Sequence, residues 1–456
     1  MTDGAGDPGG PLHCDLLIRA GTVLCLDDAD TEVAGGAVAV ADGRIVAVGP
    51  ADEVARQVRA GRTVDLPGHA LLPGFVNAHT HLAMTMFRGM ADDRDLDAFL
   101  ATVVPVEGRV LTSERVHLAT RAAALESILA GVTTALDMYF FADAALLAAE
   151  EIGLRLLTGP VLFDGGPGSL AWGPLTEWAD DWLVAHPTGP GWRPVLGPHS
   201  TYMVSPAHLG EVRDLAAAHG ALVHLHASES AGENELVRSQ HGVRPIPLLE
   251  DLGLVAPGTV LAHAVQLDDA ELAAVAAGGA AVAHCPASNL KLASGVARVP
   301  ELLDAGATVA IGTDGPASSN DLDVLGATRL AALLHKGVGG VDGTGGAARL
   351  PAPVALRMAT ISGARALGID DAVGSLEVGK LADLIAVDLD RPHVQPVYDT
   401  ASAVLYAAGR GDVTDVWVGG RQVVDGGRAV GIDPRTITAD LRDLQRVVAD
   451  LRDGGG

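Results

Sequence analysis

Pro73-Gly-Phe-Val-Asn-Ala-His-Thr-His81 places two histidines two residues apart at the end of an apolar run. An extended strand repeats every two residues, so both imidazoles fall on one face and can converge on one ion. Taken alone, a His-x-His pair also fits polar residues that simply close a strand. The ending recurs, however. Leu222-Val-His-Leu-His-Ala-Ser-Glu229 offers His224 and His226 on a shared face with Glu229 three residues beyond, Thr259-Val-Leu-Ala-His263 closes on a histidine, and Val309-Ala-Ile-Gly-Thr-Asp314 closes on an aspartate.

Outward from these runs, strand-like segments at 132–138, 195–198, 221–227, 259–263, 280–285 and 308–312 alternate with Ala/Leu-rich helical stretches such as 114–130 and 207–219. Regular alternation over residues 71–370 predicts an α/β fold, a parallel sheet closed into a (β/α)8 TIM-like barrel, with at least seven strand–helix units and eight assigned. In such a barrel the strand C-termini meet at one mouth. Four strand ends finishing in His or Asp therefore predict a metal site and not a packed core.

The two ends of the chain have a different texture. Residues 15–49, 374–387 and 416–424 are short β-branched runs broken by Gly and Asp-Gly, which predict antiparallel strands with tight turns. The expected organisation is a small β-sandwich domain built from residues 1–70 and 371–430, the barrel from 71–370, and a C-terminal helix and tail from 431–456. Helical spacing covers 433–451, the Gly-rich stretches 164–173 and 337–346 read as loops, and Met1 to Pro11 reads as the frayed tail of a cytoplasmic protein.

With 57 acidic and 31 basic side chains the chain carries a formal net charge of −26 and only three lysines, Lys291, Lys336 and Lys380. Phosphate backbones and anionic membrane surfaces are bound by clustered Lys and Arg, so neither nucleic acid nor membrane is an expected partner. No apolar run reaches the roughly 18 to 20 residues of a membrane span. Cys14, Cys25 and Cys285 lack metal-type spacing and read as small buried hydrophobes.

The stretches 73–81, 126–139, 226–229, His263, 284–295 and 312–321 together resemble the amidohydrolase superfamily, over nearly the whole chain. Within it the sequence is most similar to the 5′-methylthioadenosine/S-adenosylhomocysteine deaminases, relatives of triazine chlorohydrolases and guanine deaminases. The resemblance implies that His79, His81, His226 and Asp314 bind one divalent ion, usually zinc; His and Asp ligands by themselves also suit Fe2+, manganese or nickel. It implies that His263 sits beside the water or substrate and that Glu229 shuttles protons. Asp314 would accept a proton during water activation, a second role. Dinuclear relatives use a carboxylated lysine after the fourth strand. No lysine precedes Lys291 here, and the matching stretch is Val195-Leu-Gly-Pro-His-Ser200, so a mononuclear site is expected.

For the substrate, Pro105-Val-Glu-Gly-Arg-Val-Leu-Thr112 resembles the stretch whose glutamate reads ribose hydroxyls, which nominates Glu107, and Gly197-Pro-His-Ser-Thr-Tyr202 nominates His199 for the purine ring. A family arginine is missing, because residues 161–191 contain none. Trp172 in that segment reads as packing or a lid, and the run Met84-Thr-Met-Phe-Arg-Gly-Met90 as packing. His224 is expected in the core or behind a metal ligand, and His284 in a supporting role. The implied activity is hydrolytic deamination of S-adenosylhomocysteine, 5′-methylthioadenosine and related adenosines by a homo-oligomeric enzyme. The rivals are a guanine or other aminoheterocycle deaminase, a triazine chlorohydrolase, and a catalytically silent scaffold.

Overall fold

The computed structural model describes residues 12–165, 171–343 and 345–453. The tail Met1 to Pro11, the centre of the 164–173 loop and the final Gly-Gly-Gly lie outside the described residues.

The strands that carry the predicted site are parallel and buried along their whole length, the environment their β-branched and alanine-rich sequences favour. Leu222–Ala227, Thr259–His263 and Ala281–His284 are in register, with His226 opposite Ala262 and Ala227 opposite His263. They belong to a six-stranded sheet that runs from Val309–Ile311 through Val195–Pro198 to Val161–Leu162. A three-stranded sheet holds Phe75–Thr80, Val132–Asp137 and Arg155–Leu157. Arg155–Leu157 and Val161–Leu162 are separated by a short break that contains Pro160, which has no N–H to give a ladder. Counted as one interrupted strand, the parallel strands occupy eight positions. The amides of Thr313 and Asp314 both donate to the His79 carbonyl, at 3.1 and 3.0 Å, and so join the end of the last strand to the end of the first.

Both chain ends contribute to one nine-stranded sheet in which Leu384–Asp388 pairs antiparallel with Val58–Pro73. One pairing departs from the antiparallel expectation. Leu12–Leu24 runs parallel to Val58–Pro73, because the intervening segment includes the helix Ala51–Gln57 and returns the chain in the same direction. A second departure concerns residues 337–346, read as a loop from their glycines. The helix Val324–Asp342 continues through most of them. Gly339 lies so close to the turn that follows that a Cβ there would stand 3.1 Å from the Gly346 nitrogen, and Lys336 donates to the Ala347, Arg349 and Leu350 carbonyls. Packing overrides the low helix propensity of glycine here.

The helix Leu96–Val110 begins at an Asp95 cap that accepts from the Ala98 amide, and it backs onto the final helix Pro434–Asp453. Phe99, Val103 and Val106 share an apolar cluster with Leu444 and Val448, so the last helix braces a wall of the site. Between the nine-stranded sheet and the parallel strands, Arg155 is bidentate on the buried Asp383 carboxylate, which also accepts from the Gly419 amide at 2.8 Å. Replacing Arg155 by Met leaves that carboxylate buried without its counter-charge, and a loss of about 3 kcal/mol is expected in urea denaturation. A change below about 0.5 kcal/mol would contradict this joint.

Candidate active site

At the end of Phe75–Thr80 the period of two holds. His79 and His81 point the same way and their rings meet edge to face, with centroids 4.8 Å apart. His226 arrives from the neighbouring sheet with its ring centroid 5.0 Å from that of His79. The ring nitrogens of His79, His81 and His226 lie within 4.8 Å of one another, as do the ligand atoms of His79, His263 and Asp314. The Asp314 Oδ1 is 3.4 Å from His79 Nε2 and 3.3 Å from His81 Nε2.

Hydrogen bonding fixes the tautomers. His81 Nδ1 donates to the Met138 carbonyl at 2.6 Å and His226 Nδ1 to the His199 carbonyl at 2.8 Å. Each Nε2 is therefore a bare lone pair, and the two face each other at 3.2 Å. His79 Nδ1 is 2.8 Å from His224 Nε2, while its own Nε2 is buried and has no hydrogen-bond partner. Burial pushes all three rings toward the neutral form, His79 to about 3, with His226 held down further by the neighbouring histidines. Unprotonated lone pairs aimed at one another beside a carboxylate are a donor set that a divalent cation completes.

Asp314 stays ionised. Burial alone would raise its pKa, but the adjacent imidazoles of His79, His263 and His81 hold it well below the usual carboxylate range. Its Oδ2 accepts from Ser288 at 2.5 Å and Ser318 at 2.7 Å, and its Oδ1 from the Gly315 amide at 2.7 Å. Asp314 and His263 both sit at positive φ, +61° and +73°, a backbone cost of order 1–3 kcal/mol each for non-glycine residues. That turn at each strand end lets the side chain point back across the sheet.

Glu229 differs from Asp314. It is fully buried and desolvation lifts it to about 7, with its Oε2 3.7 Å from His263 Nε2. Its backbone is clamped by Glu233, whose carboxylate accepts from the Glu229 and Ser228 amides at 2.6 and 3.1 Å. His263 is oriented by its Nδ1, 2.8 Å from the Asn289 Oδ1. Burial alone would lower His263, but Glu229, Asp314 and the Asn289 hydrogen bond outweigh it and its pKa is raised.

These groups line one end of a cavity of about 490 Å³. His199 and Glu107 line it too. His199 is pushed down to about 4 by burial, with its ring 4.7 Å from His226. Glu107, on the helix Leu96–Val110, accepts a hydrogen bond from the Tyr139 hydroxyl, and burial lifts it to about 7. Every site residue nominated from sequence thus reaches this cavity or the histidine cluster beside it. His224 stands directly behind His79. His284 is buried beside His335, its ring nitrogens unpartnered, and Trp172 stacks on His208 and donates to Glu211. Of the 84–90 run, Met84 reaches the cavity, while Met86 and Phe87 are buried in an apolar cluster.

Sequence reading did not assign Tyr139, Asn289, Ser288, Ser318, Asp137 or Glu233. Asp137 closes the second strand, accepts from the Leu82 amide at 2.7 Å and so sets the turn after His81. Only Glu233 carried a clear local signal, the Ser230-x-x-Glu233 pattern of a helix start, in which Ser230 Oγ accepts from the Glu233 amide at 3.1 Å.

Two outcomes follow from this geometry. Zinc at about 100 times its dissociation constant is expected to stabilise the protein by about 2.7 kcal/mol. Thermal unfolding with and without chelator reads this, and the shift is expected to vanish in His226→Ala and Asp314→Asn; equal shifts in the variants would contradict the donor set. Glu107 takes up its proton in the folded protein between about 4.5 and 7, so its contribution to stability falls as pH rises through that window and stays low above it. Gln keeps the acceptor for Tyr139 without the charge. The stability of Glu107→Gln relative to the parent is therefore expected to improve by about 3 kcal/mol between pH 4 and pH 8 in denaturant titrations.

Residues 70–423 match the model of the amidohydrolase family, and residues 36–57 match an imidazolonepropionase-like composite domain of bacteria. A 5-methylthioadenosine/S-adenosylhomocysteine deaminase of Syntrophobacter fumaroxidans is 41% identical over 451 residues, 96% of this chain and 99% of the relative. The crystal structure of an adenosine deaminase from Xanthomonas campestris with bound zinc superposes with a TM-score of 0.93 at 39% identity, covering 96% of this chain and 99% of the other. An atrazine chlorohydrolase from Arthrobacter aurescens, complexed with zinc, gives 0.87 at 29% identity, covering 94% and 100%. With a family match across most of its length and relatives near 40% identity end to end, the chain belongs to the amidohydrolase family.

Proposed function

We propose that the chain is a metal-dependent hydrolytic deaminase of 6-aminopurine nucleosides modified at the 5′ position, the class that includes S-adenosylhomocysteine and 5′-methylthioadenosine. The observation that carries this reading is one cavity with the His/Asp donor set at one end and the buried Glu107–Tyr139 pair in its wall. The names of the relatives at about 40% identity support it.

His79, His81, His226 and Asp314 would hold one divalent ion, zinc in this reading. When bound, such an ion lowers the pKa of water to about 7. The chain's own residues do the remaining work. The ionised Asp314 carboxylate takes a proton from the attacking water. Glu229, poised near 7, delivers a proton to the ring nitrogen beside the carbon that bears the amino group and makes that carbon electrophilic. His263 steadies the oxygen as it adds. Asp314 passes its proton to the amino group, the carbon–nitrogen bond breaks and ammonia leaves, the hydroxyl proton of the adduct returns to Glu229, and a 6-oxopurine that keeps its ring N–H remains. Glu107 accepts from the ribose hydroxyls and His199 faces the purine ring.

In this reading the two parallel sheets close as a (β/α)8 barrel, supported by the Thr313 and Asp314 bonds to His79. The nine-stranded sheet folds over as a small β-sandwich, supported by the register shift between Ala20 and Thr22 in its parallel pair. The unit boundaries fall near residues 70, 370 and 430. Three free, buried cysteines suit a reducing cytoplasmic setting, and no described helix is long and apolar enough to cross a membrane.

A second reading, chloride or amine displacement from a free heterocycle, draws on the likeness to the atrazine chlorohydrolase. Such a substrate has no hydroxyls for Glu107. Ammonia release by zinc-loaded protein from methylthioadenosine, adenosine, guanine and a chlorotriazine separates the two. Turnover is expected only with the adenosines, and Glu229→Gln is expected to lose about 10²–10⁴-fold in kcat while retaining zinc. Undiminished turnover in that variant would overturn the assignment.

A further inference from the structure

The cavity is polar at one end only. On the helix Leu96–Val110, Leu96, Leu100, Val103 and Glu107 follow one another at helical spacing along the cavity wall, and only the last is charged. Across from them stand Phe140 and Phe163, ring to ring at 5.9 Å, with Phe141 and Met203. The rim is open and apolar: Val104 is 52% exposed, Phe141 43% and Met203 39%. Isolated exposed hydrophobes are ordinary, but three around one mouth mark a surface meant to be covered.

No lysine or arginine is among the described residues that line this cavity, and the sequence from 164 to 191 contains neither. Nearby cations are engaged elsewhere. Arg88 binds Glu126, Lys291 donates to Asp92 at 2.6 Å, Arg109 to the Pro105 carbonyl at 3.1 Å, and Arg115 to the Val110 carbonyl at 2.7 Å. Arg94 lies in the run Asp92-Asp-Arg-Asp-Leu-Asp97, one guanidinium among four carboxylates. An anionic group entering here meets apolar walls and no cationic side chain.

Resting on the nucleoside reading above, we propose that this pocket selects adenosines with a short uncharged 5′ substituent and discriminates against the aminocarboxylate of S-adenosylhomocysteine. With the base at the His/Asp end and the ribose at Glu107, the 5′ group continues toward the apolar end. A methylthio group buries its methyl there and sets its sulfur near aromatic rings, a favourable contact. A carboxylate in the same place gives up hydration without gaining a cationic partner.

The test is kcat/KM for methylthioadenosine, 5′-deoxyadenosine and S-adenosylhomocysteine on the zinc-loaded full chain. The first two are expected to exceed the third by about tenfold or more, a difference of about 1.4 kcal/mol. Val104→Arg, at an exposed rim position, is expected to narrow that ratio several-fold by supplying the missing cation, and Arg94→Ala to leave it unchanged. S-adenosylhomocysteine turned over as well as methylthioadenosine would overturn the inference while leaving the deaminase reading intact. So would an unaltered ratio in Val104→Arg, or a selective loss of S-adenosylhomocysteine turnover in Arg94→Ala. Ammonia from none of the three would overturn the deaminase reading and this inference with it.

Discussion

Two imidazole lone pairs, on His81 and His226, face each other at 3.2 Å because backbone carbonyls have taken the protons on the far side of each ring. Among the described residues no donor stands between the two nitrogens. His79 adds a third unpartnered nitrogen and Asp314 a carboxylate, all withdrawn from water, so the arrangement is unfavourable until a cation joins it. Much of the surrounding structure can be understood as holding these four groups in place. The Met138 and His199 carbonyls set the tautomers, His224 pins His79, and Ser288, Ser318 and the Gly315 amide fix the Asp314 carboxylate.

Around that centre, environment divides carboxylates into different roles. Asp314, surrounded by histidines and hydroxyls, is held ionised, whereas Glu229, equally buried beside His263, is lifted to about 7 by desolvation. One suits a proton acceptor and the other a proton carrier near neutral pH. Glu233 is a third buried carboxylate with no obvious chemistry of its own. By clamping the Ser228 and Glu229 amides it keeps Glu229 beside His263. The left-handed backbone at His263 and Asp314 is strain retained where side chains must turn back over the strand ends.

What was legible in the sequence is what depends on short-range periodicity. The period of two places His79 with His81 and His224 with His226, and the strand endings place His263 and Asp314 at the same rim. Partners across large sequence distances left no such trace. Tyr139 meets Glu107 across 32 positions and Arg155 meets Asp383 across 228, and no local pattern announces either pair. The glycines at 337, 339 and 340 misled in the other direction, because their propensity signals a loop while Lys336 and the close approach of Gly346 hold a helix. The parallel pairing of Leu12–Leu24 with Val58–Pro73 was likewise hidden, since β-branched runs and tight turns do not distinguish a hairpin from a crossover.

In the proposed reaction this donor set and its two proton-handling carboxylates exchange an amino group for the oxygen of water at an aromatic carbon. The most direct measurement is single-turnover deamination of methylthioadenosine in ¹⁸O-labelled water, read by mass spectrometry. One labelled oxygen is expected in each product molecule, at the purine carbon that loses ammonia, and no product once the divalent ion is chelated. An unlabelled product, or labelled product formed equally well without the ion, would contradict it.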